Sequence, residues 1–488
     1  MNLQLPQQTY QSRSKPFSSE RLLNMLFEPS AQNKSMYMLI GAPGLKEYYD
    51  LGGDEPILGM MYLRNFLVYV TTAGIYVVYR APNSSTVQLI TSKIWQRLGA
   101  AQPTSPVQMC CNGDTIMMVN PNDNQLYFVD LYGEDSLSED SWNISRAVVP
   151  NPDAKYISVT YISGVFAAIG KIGPMTYIQY TNVLGREFLH SFQLDTALVN
   201  LTAVASNMRE LWCFGANSIE VVSPSGEADE NFFAHVTGAY VNKGCVCKNS
   251  IAVYETVFFF YGTDGNIYAA ENYTSLKPIS TPALLEMIRS WGGLDSQADK
   301  DGVIGQVFTH NGHTFYMLKF KKFKKTLMYD ITTSSWSERE TGDGGEWEGE
   351  YVVRRPNGEM LVSSGTTDKL YTMDMNYYTD NGKPICREFV FGTIKNEAKH
   401  RMFFYSLTLD VDVGLGPDDT VMLSWSDDGG YTWTGERMLR LGNVGQYKKK
   451  LQFRKLGSST LRTYKVRFST ASRVNVLSAS MEAEEGIS

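Results

Sequence analysis

Short apolar runs separated by turn residues recur along most of this chain at a nearly constant interval. From about Ile57 to about Phe391, runs of apolar, β-branched and aromatic residues stop at a turn and then resume, roughly every 45–50 residues. Seven such strand–turn–strand units lie at 65–79, 115–129, 165–179, 209–222, 257–269, 313–329 and 359–372. Strand repeats of this length are typical of β-propellers, in which each repeat forms one blade.

The turns of the sixth and seventh units carry the strongest hairpin signal. Asn311-Gly312 and Asn357-Gly358 each stand between alternating apolar runs. Asn-Gly suits a type I′ turn because both central residues of that turn need positive φ. Counting units in this way predicts seven blades, within a range of six to eight.

Two segments have helical spacing instead. Thr281 is a good N-cap, Pro282 suits the first helical position, and apolar residues follow at helical intervals as far as Trp291, before Gly292. Residues 19–26 have the pattern of one short amphipathic helix. We therefore predict one helix between blades five and six and a second near the N-terminus.

After about Lys395 the strands become longer. They are predicted at 401–413, 420–426, 431–439, 448–455, 461–469 and 474–481. We predict an all-β chain with an N-terminal arm at 1–54, a seven-bladed β-propeller at 55–395 and a C-terminal β-sandwich-like domain at 396–488. The acidic end at 482–488 is expected to fray.

Composition agrees with this reading and narrows the function. Of the 488 residues, 43% are hydrophobic and 12% aromatic, which favours strands. The net charge of −7 argues against a protein whose main task is to bind nucleic acid electrostatically.

Apolar runs are shorter than the ~20 residues of a membrane span, and residues 1–17 are polar, so we expect neither a span nor a secretion signal. Cysteines 110, 111, 213, 245, 247 and 386 are predicted to be reduced, buried thiols of a protein that folds in a cytoplasm.

Sequence motifs for catalysis are absent, and we predict no catalytic, cofactor-binding or metal-binding residue. There is no His-Glu-x-x-His, no Gly-x-Ser-x-Gly and no phosphate-binding loop. His310 and His313 flank a hairpin turn, where a solvated pair is favoured over a metal site. The acidic segment 295–301 lacks the ligand spacing of a calcium loop and is predicted to be a surface turn.

Residues 426–433, Ser-Asp-Asp-Gly-Gly-Tyr-Thr-Trp, match the Asp-box of sialidases and related propellers. In such a box the Ser and Asp side chains accept hydrogen bonds from turn amides, Gly takes a positive φ, and Trp packs beneath the hairpin. An Asp-box stabilises a hairpin and carries no catalytic group. This one lies outside the repeats.

Two lysine-rich segments, 319–325 and 448–455, are the densest charge runs. Each has two interpretations: contact with DNA phosphates or an acidic partner, or a turn whose lysines discourage edge-to-edge strand pairing. The acidic net charge favours the second interpretation for both.

Three stretches resemble the tail hub, or packaged-DNA stabilisation, proteins of short-tailed phages. The first is Asn24-Met25-Leu26 with the Gly-Ala-Pro-Gly and aromatic–Asp pattern of 41–50. The second is the strand pair at 211–220, followed by Lys243-Gly244 and the helix ending at 288–290. The third is the C-terminal hairpin at 423–437 with 454–457 and 465–468. The motifs occur in the same order over nearly the whole chain.

The resemblance implies a structural protein of the virion tail that is assembled in the host cytoplasm and has no enzymatic activity. Such hubs, or nozzles, form a ring, commonly a hexamer, below the portal and its adaptor. They extend the channel for packaged double-stranded DNA, which is contacted non-specifically, help to retain the genome before ejection, and anchor tail spikes or fibres and a needle or plug. No cofactor is implied. The alternatives are a glycan- or receptor-binding propeller of the virion and, less favoured, a sialidase-like enzyme.

Overall fold

A computed structural model describes all residues of the chain except 31–36, 80–88, 133–141, 195–199, 343, 396–399, 417–418 and 487–488. Strands make up 56% of the described residues and helices 6%. The strands form a propeller of seven blades followed by a β-sandwich. The predicted all-β class and the predicted blade count are confirmed.

Each of the first six blades is a meander of four antiparallel strands, as the turn pattern predicts. Blade one comprises Ile57–Leu63, Phe66–Thr71, Gly74–Tyr79 and Leu89–Ile94; blade two Gln108–Cys111, Thr115–Asn120, Gln125–Leu131 and Trp142–Arg146; blade three Lys155–Ile162, Val165–Ile172, Met175–Thr181 and Phe188–Phe192; blade four Leu201–Ser206, Leu211–Gly215, Ile219–Pro224 and Phe233–Val241; blade five Ala252–Tyr254, Val257–Tyr261, Ile267–Asn272 and Ser275–Pro278; and blade six Val303–His310, His313–Phe320, Lys325–Asp330 and Ser335–Thr341.

Blade seven is closed by a strand from the other end of the chain. Its first three strands are Gly349–Arg354, Met360–Ser364 and Leu370–Asp374, and its fourth is Gly44–Tyr49. The register of the last pair runs antiparallel, with Leu45 opposite Met373 and Tyr49 opposite Leu370. Backbone hydrogen bonds therefore join the N-terminal arm to the last blade.

The sandwich also takes strands from the N-terminal arm. One sheet contains Met25–Pro29, Tyr37–Gly41, Asn475–Glu485, Met402–Val411 and Leu451–Ser459, with Asn2–Leu3 along the strand at 475–485. The other contains Arg437–Arg440, Thr420–Ser426, Leu461–Thr470 and Lys383–Val390, beside which Ser19–Leu23 adds a further strand. Short strands complete the fold at Tyr10–Gln11, Gly345–Glu346, Thr379–Asp380 and Ile394–Lys395.

The prediction for the helix between blades five and six is confirmed, and that for the N-terminal helix is wrong. Helix α1 spans Pro282–Trp291, Thr281 caps it by accepting a hydrogen bond from the amide of Leu284, and it ends at Gly292. Residues 19–26 instead form the end-to-end strands Ser19–Leu23 and Met25–Pro29. Their backbone pairs with the sandwich, and these tertiary hydrogen bonds override the local helical pattern.

Three smaller predictions also need correction. The predicted strand at 431–439 is shortened to Arg437–Arg440, because the turn of the Asp-box occupies the residues before it. The acidic end does not fray before Glu485, since the last strand pairs with Met402–Val411 up to that residue. The acidic segment near 295 forms a short helix, α2, at Gln297–Asp301 rather than a turn, because Ser296 and Asp299 cap it reciprocally.

Four of the six cysteines are buried as predicted, whereas Cys110 and Cys111 are half-buried. Cys245 and Cys247 lie in two different apolar clusters. Burial raises the pKa of Cys245 to about 12 and holds the pKa of Cys213 well above the ordinary value of a thiol. These two thiols are therefore protonated and inert at neutral pH.

Candidate functional site at the propeller–sandwich junction

The axis of the propeller is a narrow channel lined by the first strands of the blades. Its cavity of ≈ 320 Å³ is lined by apolar and amide side chains such as Val107, Val159, Ile304 and Gln306. Among the described residues that line it, Lys248 is the one formally charged side chain. Glycoside hydrolysis needs a pair of carboxyl groups around the scissile bond, and this lining contains no carboxylate.

The two histidines of the sixth blade are buried rather than solvated, which corrects the prediction. Nδ1 of His313 lies 2.7 Å from a carboxylate oxygen of Asp330, and this hydrogen bond raises the pKa of His313. Burial lowers the pKa of His310, whose Nε2 is buried and has no hydrogen-bond partner among the described residues. The prediction placed both histidines beside a solvated hairpin turn; the turn residues Asn311 and Gly312 are exposed, but the two histidines lie buried at the ends of the paired strands. In the part of the chain that the structure describes, no three His, Cys, Asp or Glu side chains are grouped to hold a metal ion.

The lysines at 319–325 are engaged within the chain. Lys319 is fully buried, and its Nζ donates to the carbonyl oxygens of Trp347 and Gly349 at 3.1 and 3.2 Å. It also lies 3.5 Å from the buried carboxylate of Glu350. Three neighbouring lysines form four further ion pairs: Lys321–Glu350 at 2.7 Å, Lys322–Asp299 at 2.7 Å, Lys322–Asp295 at 3.7 Å and Lys325–Glu340 at 2.6 Å. This segment therefore joins blades six and seven, and most of its charge is neutralised there.

The propeller and the sandwich meet around one fully buried asparagine. Asn24 has a left-handed backbone (φ 52°), and its side-chain amide donates to the carbonyl oxygens of Glu340 at 2.9 Å and Cys386 at 2.7 Å. Its Oδ1 accepts from the amide of Glu340 at 3.1 Å. Glu340 belongs to blade six and Cys386 to the sandwich. One side chain from the N-terminal arm thus satisfies backbone groups of both domains.

A charge cluster surrounds the same crossing. Arg21 donates from Nε and Nη2 to both carboxylate oxygens of Glu338, at 3.0 and 2.8 Å, and from Nη1 to Glu388 at 3.1 Å. Glu338 lies in blade six and Glu388 in the sandwich. The strand Ser19–Leu23 lies between them, parallel to the strand of Glu338 and antiparallel to that of Glu388. Bidentate pairing of this kind fixes orientation as well as distance.

Two buried arginines complete the junction. Arg339 donates from Nη2 to the carbonyl oxygen of Pro43 at 2.8 Å, and Arg387 packs directly against the backbone of Gly41, where a Cβ would clash. Burial and the nearby charge of Arg339 lower the pKa of Arg387 to about 10, while burial raises the pKa of Asp380 between them. Position 41 is therefore glycine because the Arg387 side chain approaches its backbone, whereas Gly44 is required by the close backbone of Tyr377 and Thr379.

The Asp-box of the sandwich holds the N-terminal arm. Asp428 accepts hydrogen bonds from the hydroxyl of Ser426 and from the amides of Tyr431 and Thr432, which keeps the pKa of Asp428 below its usual range. Gly429 (φ 80°) lies against Pro16 of the arm, so that a Cβ would meet Pro16 at 2.6 Å. Its carbonyl oxygen accepts from the hydroxyl of Ser19 at 2.9 Å. The box thus shapes a hairpin that grips another part of the chain.

Comparison with known families gives this architecture a context. The model for the β-propeller of bacteriophage P22 Gp10 matches residues 1–378, and the model for its β-sandwich matches residues 387–484. The chain belongs to this phage stabilisation family. It is therefore a structural protein of a phage tail, and its place is in the virion.

Other comparisons add little. No curated protein matches the chain. Among solved structures, the Pan2 WD40 domain of Neurospora crassa is 9% identical and covers 65% of this chain and 89% of its own, with a TM-score of 0.38. YCF48 from Cyanidioschyzon merolae is 10% identical, with 67% and 98% covered and a TM-score of 0.39. An exo-β-1,3-galactanase from Phanerochaete chrysosporium is 9% identical, with 79% and 97% covered and a TM-score of 0.28. Likeness at these TM-scores supports no functional argument.

Of the three stretches that carry the family resemblance, the first builds the junction. Asn24 and the turn at 41–44 lie at the centre of it, and the segment that follows closes blade seven. Sequence reasoning found these motifs but missed Arg21, Arg339 and Arg387, whose partners lie hundreds of residues away or in the other domain. Among the described residues, no helix has the length and apolar character needed to cross a membrane.

Proposed function

We propose that the chain is one subunit of a tail hub or nozzle of a short-tailed phage. In this proposal the subunits form a ring, six-fold by analogy with such hubs, below the portal and its adaptor. The ring extends the DNA channel, helps to retain the packaged genome until ejection, and anchors tail spikes or fibres and a needle or plug. Family membership supports the placement in the tail, and the architecture of the junction supports the mechanical role.

The observation that carries the proposal is the path of residues 1–49. The arm adds strands to both sheets of the sandwich, passes through the junction at Asn24, and then closes blade seven at Gly44–Tyr49. The amino group of Met1 and the carbonyl oxygen of Met481 are 2.9 Å apart, so both ends of the chain are fixed in one sheet. A subunit tied in this way resists separation of its domains, which is what the wall of a pressurised channel requires.

The channel within the propeller is an unsuitable conduit or active site. Its cavity of ≈ 320 Å³ is far too small for duplex DNA, whose major groove alone is about 12 Å wide. In the proposed ring the DNA therefore passes along the central axis, through the channel that the subunits surround. The propeller then serves as a rigid body whose outer loops meet neighbouring tail proteins.

Imaging of tails in situ tests the proposal. We expect averaged cryo-electron micrographs of virions to show rings of this chain around the central channel, and native mass measurement of the purified chain with its portal–adaptor complex to show a closed oligomer. A chain that stays monomeric and does not join portal–adaptor particles would contradict the proposal. Reproducible binding on a glycan array by such a monomer would favour a receptor-binding propeller instead.

A further inference from the structure

Charge is distributed unevenly between the two domains. Residues 387–484 contain 15 Lys and Arg against 11 Asp and Glu, although the whole chain has a net charge of −7. Within them, residues 437–455 contain seven basic residues and no acidic one. We call these residues the basic hairpin. A segment of one charge sign in an otherwise acidic protein attracts a polyanion to that place.

The fold gathers these charges on one rim of the sandwich. The basic hairpin crosses between the two sheets of the sandwich: it starts in the edge strand Arg437–Arg440 of one sheet, continues through a loop, and ends in the edge strand Leu451–Ser459 of the other. Nη1 of Arg437 donates to the carbonyl oxygens of Arg454 and Lys455, at 2.8 and 3.0 Å, and so fastens the first strand beside the second. All seven basic side chains are exposed: Arg437, Arg440, Lys448, Lys449, Lys450, Arg454 and Lys455.

The basic hairpin differs from the other lysine-rich segment in what its charges contact. At 319–325 four of the five lysines are paired with carboxylates of the same chain. In the basic hairpin, Lys448, Lys450 and Lys455 form no ion pair with any described carboxylate. Their charge remains available to a partner.

We infer that the basic hairpin binds the phosphate backbone of double-stranded DNA without reading its sequence. The inference rests on the proposed function, since it places DNA beside the ring of sandwich domains. Duplex DNA presents one negative charge per about 1.7 Å of its axis and releases counterions when lysines bind it. A protein partner fits less well, because burying three consecutive lysines in a protein interface carries a large desolvation cost and lysine is depleted at such interfaces.

Neighbouring side chains suit the same ligand. Tyr447, 65% exposed, directly precedes Lys448. A tyrosine hydroxyl such as that of Tyr447 can donate a hydrogen bond to a DNA phosphate, a contact that holds a protein on the duplex without reading its sequence. A shallow groove beside Arg454 and Lys455 is lined by the exposed rings of Phe403 and Tyr405 and by one acidic side chain, Glu482. The groove lies on the same rim as the basic hairpin, which makes the surface continuous.

The test measures the salt dependence of DNA binding by the full chain. A fluorescently labelled duplex of about 30 base pairs is titrated with the wild type and with the triple variant Lys448→Gln, Lys450→Gln, Lys455→Gln at several salt concentrations. We expect the variant to bind at least about tenfold more weakly at low salt, and the slope of log K against log salt to become shallower by about 3, since each lost phosphate contact removes about 0.9. The matched control is Lys171→Gln, Lys277→Gln, Lys383→Gln, which removes the same charge from exposed sites elsewhere and should leave the slope near that of the wild type.

Each outcome decides the inference. Absence of DNA binding by the wild type, or equal losses in both triple variants, overturns it. A triple variant that binds DNA normally but no longer forms rings assigns the basic hairpin to a contact between copies of the chain. Ring assembly is measured on the same samples by native mass, so that a ring without DNA binding refutes this inference alone, whereas a persistent monomer refutes the proposed function.

Discussion

The side chain of Asn24 forms two opposed hydrogen bonds with the backbone of Glu340, donating to its carbonyl oxygen at 2.9 Å and accepting from its amide at 3.1 Å. This is the pattern by which one strand residue pairs with another, made here by a side chain. The same amide donates to Cys386 in the sandwich. Asn24 therefore bridges the edge of blade six and the neighbouring domain directly after the end of the strand Ser19–Leu23, which pairs with both.

Asn24→Ala should lower the free energy of unfolding by about 3 kcal/mol or more. The change leaves the amide and carbonyl of Glu340 and the carbonyl of Cys386 buried without this partner, and each such group costs about 1–3 kcal/mol. Chemical denaturation measures the loss. Asn311→Ala is the control, because Asn311 is exposed and also has a positive φ of 48°, so it reports the backbone cost alone, about 1 kcal/mol. Equal losses in the two variants would show that the hydrogen bonds of Asn24 contribute little.

The sequence predicts the blades well because each blade is local. Its strands are joined by short turns, and a turn such as Asn311-Gly312 specifies a hairpin from neighbouring residues. The path of the N-terminal arm is not local. Residues 19–26 have helical spacing, yet Arg21 is held opposite Val390 by strand pairing across more than three hundred residues of sequence. No pattern within the arm contains that information.

Charge runs show the same limit. The lysines at 319–325 look alike in sequence, but Lys319 is fully buried and Lys324 is exposed. The difference arises because Lys319 points toward blade seven, where it contacts the carbonyl oxygens of residues 347 and 349 and the carboxylate of Glu350. The Asp-box, by contrast, was predicted correctly as a structural turn, since its hydrogen bonds join residues at most four apart.

Lys319→Met should destabilise the chain by about 3–5 kcal/mol, the usual cost of removing one partner from a buried charge pair. The substitution keeps the length of the side chain but leaves the two carbonyl groups without this donor and leaves Lys321 as the one remaining cation on the buried carboxylate of Glu350, among the described residues. Lys324→Met in the same turn is the control and should change stability by less than about 0.5 kcal/mol. Urea-induced unfolding of both variants makes the comparison. A loss near zero for Lys319→Met would mean that the apolar contacts of the methionine replace the ion pair.

The two histidines of blade six should affect stability with opposite signs as pH changes. The pKa of His313 is raised by its hydrogen bond to Asp330, so its contribution is complete below the unfolded value of about 6.5 and is lost as pH rises through the folded pKa. The pKa of His310 is lowered by burial, so the chain loses stability as pH falls below about 6.5.

We therefore expect His313→Gln to cost more free energy of unfolding at about pH 6 than at about pH 8, and His310→Gln to cost more at about pH 8. Denaturation curves at both pH values, with the wild type as reference, test the signs. The same direction of pH dependence for both variants would show that one of the two environments is assigned wrongly.

The closure of the propeller depends on the strand Gly44–Tyr49, and two adjacent residues separate its packing from its backbone pairing. Leu45 is 1% exposed within the core of blade seven, whereas Lys46 points to the opposite, exposed side. Leu45→Ala should cost about 2–5 kcal/mol through lost burial and the cavity that remains. Lys46→Ala, in the same strand, should cost less than about 0.5 kcal/mol. Hydrogen exchange locates the effect: in Leu45→Ala we expect the amides of 44–49 and Leu370–Asp374 to exchange faster, because the last blade opens first when its closing strand is loosened. Faster exchange spread evenly over all seven blades would instead show that the propeller unfolds as one unit, with no weak point at its closure.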